Sequence, residues 1–149
     1  MKERIPLQII GRRLILTSVI ECKSLRIPRR IMEFTIDTGS PNSYISDKDV
    51  RKLQIPIKDK STLEEVDFGG SRFKQVSLPR ITMYILKENR DYLTLDISLS
   101  ALKTTKSSEQ KMQIAQILPS ILGLDFLEDQ KISLHVILNE NIAYLEVEK

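Results

Sequence analysis

Residues 34–40 read Phe34-Thr35-Ile36-Asp37-Thr38-Gly39-Ser40. A β-prone apolar run pushes one acid out at its end, and the glycine shortly after permits a tight turn with close backbone approach. In such a turn the Asp37 carboxylate accepts bonds from the backbone around Gly39 and Ser40, which fixes its direction. Plain Asx-type turns use the same four residue types. The meaning of this segment is therefore decided by what surrounds it.

Upstream, Arg12 to Cys22 (RRLILTSVIEC) is rich in β-branched and aliphatic residues and predicts a strand. A basic stretch with Pro28 punctuates it, and Ile31 to Ile36 resumes as the second arm of a hairpin that delivers the Asp37 loop. Downstream, Tyr44-Ile45 is a short apolar step. Ser46-Asp47-Lys48-Asp49 then has the serine-plus-three-acid spacing of a capping box, predicting a helix through about Leu53. Asp47 and Asp49 read as solvated first-turn acids favourable to the helix dipole. Gly69-Gly70, between Val66-Asp67-Phe68 and Arg72-Phe73-Lys74, marks a hairpin turn. Ile81 to Leu86 and Tyr92 to Leu99 predict two more strands. Lys103 to Lys111 is polar and aperiodic: an exposed loop, or the opening of a helix through Leu118. Ile121-Leu122-Gly123 leads into a second short helix with Asp125 as its cap and Glu128 at the third position. Ile132 to Leu138 and Ile142 to Val147 form a closing hairpin. No repeat, linker or low-complexity tract interrupts residues 1–149, which read as one mainly β domain with one or two short helices.

Composition narrows the chemistry. The chain has 149 residues, 41% hydrophobic and 29% charged, which is ordinary globular usage and enough for one core but not two lobes. One cysteine, Cys22, and one histidine, His135, exclude an intrachain disulfide, cysteine-rich zinc sites and paired-histidine metal sites. Aromatics are 5% with no tryptophan, a poor basis for stacking nucleic-acid bases. The net charge of +3 is too small to imply a nucleic-acid partner. The N-terminal apolar run is broken by Pro6 and followed by Arg12 and Arg13, and Met112 to Leu124 is too short to span a bilayer. These features predict a cytoplasmic protein with no membrane partner.

Taken with the later Ile121-Leu122-Gly123-Leu124-Asp125, the segment Ile36-Asp37-Thr38-Gly39-Ser40 resembles the retropepsin-like aspartic proteases. In that family an apolar-Asp-Thr/Ser-Gly-Ala/Ser loop carries the catalytic acid, and a downstream apolar-apolar-Gly strand crosses beneath it before a short helix. The order of elements also agrees, over roughly residues 12–147; Lys103 to Gln116 has no clear counterpart. The run ILGLDFLEDQKISL is especially similar to the non-viral branch, such as the protease domain of eukaryotic DNA-damage-inducible proteins.

The resemblance implies a retropepsin-like acid protease fold, a closed β-barrel-like single lobe, and an aspartic endopeptidase. Aspartic proteases are the standard illustration of two carboxylates sharing one proton. With one Asp-Thr-Gly per chain, the second acid is the copy of Asp37 in a C2 homodimer. Thr38 would bond across the axis to its copy. Ser40 would donate its hydroxyl to the Asp37 carboxylate, favouring the ionised form and a pH optimum on the acid side. Val66 to Lys74 would be the flap, with Gly69 and Gly70 at its tip and Phe68 and Phe73 lining pockets over a peptide or unfolded protein substrate. No metal or cofactor is required. The terminal strands, Ile5 to Ile10 or Ala143 to Val147, are the alternatives for the dimer seam.

The remaining signals have plain readings. Asp125 is a helix cap, His135 a strand residue facing solvent or a polar neighbour, and Cys22 a strand-end thiol. Arg26, Arg29 and Arg30, with Arg12 and Arg13 nearby, read as a solvated hairpin edge that blocks unwanted pairing. Two rival functions stand beside the protease: a retropepsin-like dimeric peptide- or protein-binding module without hydrolysis, and a basic nucleic-acid-binding β protein.

Overall fold

Alternation of apolar and polar residues sets the strands. In β3 (Arg13–Cys22), Leu16, Ser18, Ile20 and Cys22 are buried, and in β8 (Ile81–Leu86) Ile81, Met83 and Ile85 are fully buried while Thr82 and Tyr84 are half-buried. The computed structural model describes residues 1–57, 64–68, 71–104, 113 and 117–148. The chain opens with β1 (Lys2–Pro6) and β2 (Gln8–Ile10), followed by β3, β4 (Ile27–Ile36), β5 (Tyr44–Ile45) and helix α1 (Asp47–Leu53). A hairpin of β6 (Glu65–Phe68) and β7 (Ser71–Ser77) precedes β8, β9 (Tyr92–Ile97) and β10 (Ser100–Thr104). The last third holds β11 (Ile121–Leu122), helix α2 (Leu124–Asp129), β12 (Ile132–Ile137), a 3-10 turn and β13 (Ile142–Glu148).

Among the described residues the main sheet runs β6-β7-β10-β5-β11-β4-β3-β8-β9, with β2 beside β3, and a second sheet runs β1-β13-β12. The protein is mainly β, but the main sheet is not closed into the expected barrel: it ends on β6 and β9. The second sheet closes the core instead. Its Ile5, Ile132, Ala143, Leu145 and Val147 belong to the same buried cluster as Phe34, Leu16, Met83 and Phe126 of the main sheet and α2.

Several boundaries differ from the sequence reading. β4 begins at Ile27 rather than Ile31, and Pro28 is tolerated because the ladder shifts register between Ile20 and Cys22, beside it. α1 spans the expected residues, yet Ser46 makes no side-chain cap; its hydroxyl donates to the Asp49 carboxylate at 3.2 Å. Nor is Asp47 solvated: it is 5% exposed and paired with Arg51 at 3.0 Å. β10 begins at Ser100, in a stretch the sequence reading left unassigned, and runs on into Lys103 and Thr104, where a loop was expected, because Ala101 and Leu102 are buried between β5 and β7. The rest of the polar stretch that follows it lies almost wholly outside the described residues, as does the Gly69-Gly70 turn.

Candidate active site

Two interior strands meet at the Asp37 loop. β11 lies parallel to the end of β4, with Ile121 opposite Thr35 and Leu122 opposite Ile36. The Thr35 N–H donates to Ser120 and the Asp37 N–H to Leu122, both at 2.9 Å. Asp37 is the first residue past the strand, half-buried, with Thr38 and Gly39 exposed beyond it. The Gly39 N–H donates to Asp37 Oδ1 at 2.9 Å, and the Ser40 N–H closes the turn on the Asp37 carbonyl at 3.2 Å. The carboxylate is thus aimed by its own backbone, as the residue order Asp-x-Gly predicts.

Ser40 does something other than expected. Its hydroxyl donates to the Asn42 carbonyl at 2.7 Å, so it does not support the Asp37 carboxylate. The reason is local: the loop bends back at Pro41 and brings the Asn42 oxygen within reach, while Oδ1 of Asp37 is already engaged by Gly39.

The loop is braced from the far end of the chain. Leu124 and Asp125, at the start of α2, donate their N–H groups to Ser40 and Pro41 at 2.9 and 3.1 Å. Gly123 makes this approach possible. A Cβ there would stand 2.4 Å from the carbonyl oxygens of both Ser40 and Asn42. Gly123, not Asp125, is the N-terminal flanking residue of α2, so the cap lies two positions earlier than expected. Asp125 instead ties the helix to the chain beyond the loop. Its carboxylate accepts Ser43 Oγ at 2.6 Å, the Ser43 N–H at 3.2 Å and the Phe126 N–H at 2.7 Å. Ser43 Oγ in turn accepts the Gly123 N–H at 2.8 Å.

Asp37, Gly39 and Ser40 face a cleft of about 730 Å³ walled also by Tyr44, Ile121, Pro119, Arg12 and Arg13, with Val66 and Asp67 from the β6–β7 hairpin. Val66 pairs with Phe73 and Asp67 with Arg72 across that hairpin. Arg72 hydrogen-bonds Asp67 at 3.3 Å and also meets Glu65; the bond and charge of Asp67, then Glu65, hold its guanidinium above the ordinary arginine range. Phe73, expected to line a pocket, is instead 1% exposed, packed with Tyr44, Leu102 and Ile121 beneath the cleft. On a two-faced hairpin Arg72 and Phe73 must point oppositely, and here Phe73 takes the inner face. Phe68 ends β6; its side chain, Gly69 and Gly70 lie outside the described residues. Ile121 and Leu122 are buried supports beneath the loop.

By sequence, Arg12 and Arg13 belong with the hairpin-edge arginines. The cleft takes them because β3 runs antiparallel to β4, so the start of β3 lies beside the end of β4. Arg29 is apart, over the Tyr84 ring and 3.5 Å from Glu21. His135 stacks on Tyr144 and meets Ser133 at 2.9 Å, on β12 at the edge of the β1-β13-β12 sheet. Among the described residues no group of three or more His, Cys, Asp or Glu side chains is placed to hold a metal ion. Nor, among them, is any helix long and apolar enough to cross a membrane.

No family model and no curated protein matches the chain. Among solved structures, a retropepsin-like aspartic protease from Rickettsia conorii is similar over 99% of this chain and 93% of that one, with a TM-score of 0.56 and 13% identity. The fold is retropepsin-like. At that identity the likeness speaks for the fold, in which Asp37 stands at the end of an interior strand, on the wall of the cleft.

Proposed function

We propose that the protein is an aspartic endopeptidase that works as a homodimer, with Asp37 of each chain forming the acid pair. The observation that carries this is the oriented Asp37 carboxylate, held by the Gly39 N–H on the wall of an open cleft in a retropepsin-like fold. One ionised Asp37 takes a proton from a water bridging the pair, and that water attacks the scissile carbonyl. The protonated partner donates to the carbonyl oxygen, and a proton then passes to the leaving amine. The apparent pKa values of such a pair belong to both acids together. Substrates are peptides or partly unfolded proteins with apolar residues beside the cut, bound extended under the β6–β7 hairpin. The reducing cytoplasm suits its one unpaired thiol, Cys22. The likeness to the DNA-damage-inducible branch rests on the run from Ile121 to Leu134 in the sequence.

The test is a mixed peptide library from pH 3 to 7, incubated with the wild-type chain, with Asp37→Asn and with a pepstatin-type inhibitor. Cleavage should vanish in Asp37→Asn, and specific activity should fall on dilution through the dimer dissociation range. Cleavage surviving Asp37→Asn refutes the mechanism. Peptide binding without cleavage at any pH gives the non-hydrolytic binding module instead, and salt-dependent retention of duplex DNA would favour the nucleic-acid reading.

A further inference from the structure

Two arginines stand at the cleft without an acid paired to either among the described residues. β2 and β3 are joined by a two-residue turn: Ile10 faces Arg13 across the ladder, and Gly11 and Arg12 have φ of 56° and 62°. Positive φ at both central residues is the primed turn that suits a tight hairpin. It projects Arg12 at the tip and sets Arg13 at the first position of β3, both on the wall that carries Asp37.

Four arginines have acidic partners, whereas Arg26, Arg30, Arg80 and Arg90, away from the cleft, have no ion pair among the described residues. Arg4 meets Glu146, Arg29 meets Glu21, Arg51 meets Asp47 and Arg72 meets Asp67 and Glu65. Among the described residues no ion pair involves Arg12 or Arg13. The cleft acids do not answer them either: Asp67 is taken by Arg72, and Asp37 Oδ1 by the Gly39 N–H. Arg13 also borders a second groove of about 370 Å³, whose lining shares Thr35 and Pro119 with that of the cleft. Lys48 and Lys52 of α1 line that groove, as do Ile31 and Ile117, each 72% exposed. Its acids are Glu33 and Asp49, and Asp49 already accepts the Ser120 hydroxyl at 2.6 Å.

Resting on the endopeptidase reading, we propose that Arg12 and Arg13 form a subsite for an acidic side chain of the substrate, with the peptide running on into the Lys48–Lys52 groove. A guanidinium presents a planar fork of donors that matches a carboxylate bidentately. An extended peptide advances about 3.3 Å per residue and shows alternate side chains to one wall. The cleft therefore selects peptides with an apolar residue at the cut and a glutamate or aspartate farther along, on the Arg12–Arg13 side.

Matched peptides that differ only by glutamate against glutamine, scanned position by position on either side of the cut, test this. The wild-type chain should favour glutamate about tenfold in kcat/KM at low salt, as two partly exposed charge pairs would give, and the preference should shrink as salt is raised. Arg12→Glu/Arg13→Glu, checked for wild-type folding by its thermal transition, should invert the order so that a lysine peptide is preferred. Fluorescence anisotropy with the Asp37→Asn chain measures the same ratios as binding. If the wild-type chain cleaves nothing, the endopeptidase reading fails and the anisotropy still decides the subsite. Equal binding of the glutamate and glutamine peptides, or a glutamate preference that survives the charge reversal, overturns the proposal.

Discussion

Replacing Gly123 with alanine separates two physical effects of opposite sign. Gly123 has φ of −98°, a region open to any residue. By chain entropy alone, an alanine at such a position stabilises by about 0.4–1 kcal/mol, because the unfolded chain loses freedom. The surroundings predict the reverse. The added carbon would lie 2.4 Å from the Ser40 and Asn42 carbonyl oxygens, roughly 1 Å inside ordinary contact, and both neighbours are backbone. Overpacking of this kind costs about 1–3 kcal/mol. Separating α2 from the loop to relieve it also strains the Leu124–Ser40 and Asp125–Pro41 hydrogen bonds, each contributing about 0.5–1.5 kcal/mol. The net expectation is a loss of about 2–5 kcal/mol, read as a drop in the urea midpoint at unchanged slope. Gly11→Ala is the control. It has φ of +56° and open space around its Cβ, so it bears only left-handed strain of about 1–2 kcal/mol. A Gly123→Ala chain as stable as wild type, or no less stable than Gly11→Ala, would refute the argument that this glycine lets α2 brace the Asp37 loop.

Two further outcomes follow from side chains that the structure assigns differently from the sequence. Phe73→Ala should destabilise by about 3–5 kcal/mol in urea, as for a fully buried aromatic; an unchanged midpoint with a raised KM would restore Phe73 to the cleft lining. Ser40→Ala should cost about 1 kcal/mol through the lost bond to Asn42 and leave the pH profile of peptide cleavage where it was; a displaced profile would mean that the hydroxyl does reach the acid.

What the sequence made legible was local in origin. The Asp37 turn, α1 and the paired hairpins follow from spacing within a few residues: Asp-x-Gly, an apolar step before charged helix formers, β-prone runs split by turn residues. What escaped was decided by partners far along the chain. α2 has an acid suited to capping, but its start was fixed by Gly123, whose value lies in carbonyls about 80 positions earlier. β10 carries the unremarkable Ser-Ala-Leu-Lys-Thr and becomes a strand because β5 and β7 leave a slot between them. The open main sheet was likewise invisible, since pattern alone does not say whether a core is closed by its own sheet or by a second one. At the candidate site the acid and its supporting strand were readable, whereas the wall was not: Arg12 and Arg13 looked like solvated charges until antiparallel pairing brought the start of β3 to the end of β4.

The charges around the cleft bear on where a second acid could come from. A water held between two carboxylates needs a second acid within a few ångströms of Asp37. Among the described residues the acids lining this cleft are Asp37 and Asp67, and Asp67 is bound to Arg72 on the hairpin rim. Asp125, the other acid near the loop, is tied to Ser43 and the start of α2. Neither is free to share a proton with Asp37. The fold nevertheless braces the Asp37 loop from two sides, through Leu122 beneath and α2 behind, and leaves Thr38 and Gly39 exposed in front. The loop is therefore braced behind and open ahead, which is the geometry the proposed pairing of two Asp37 loops requires. In the proposed endopeptidase, the second acid would be the Asp37 of a symmetry-related copy.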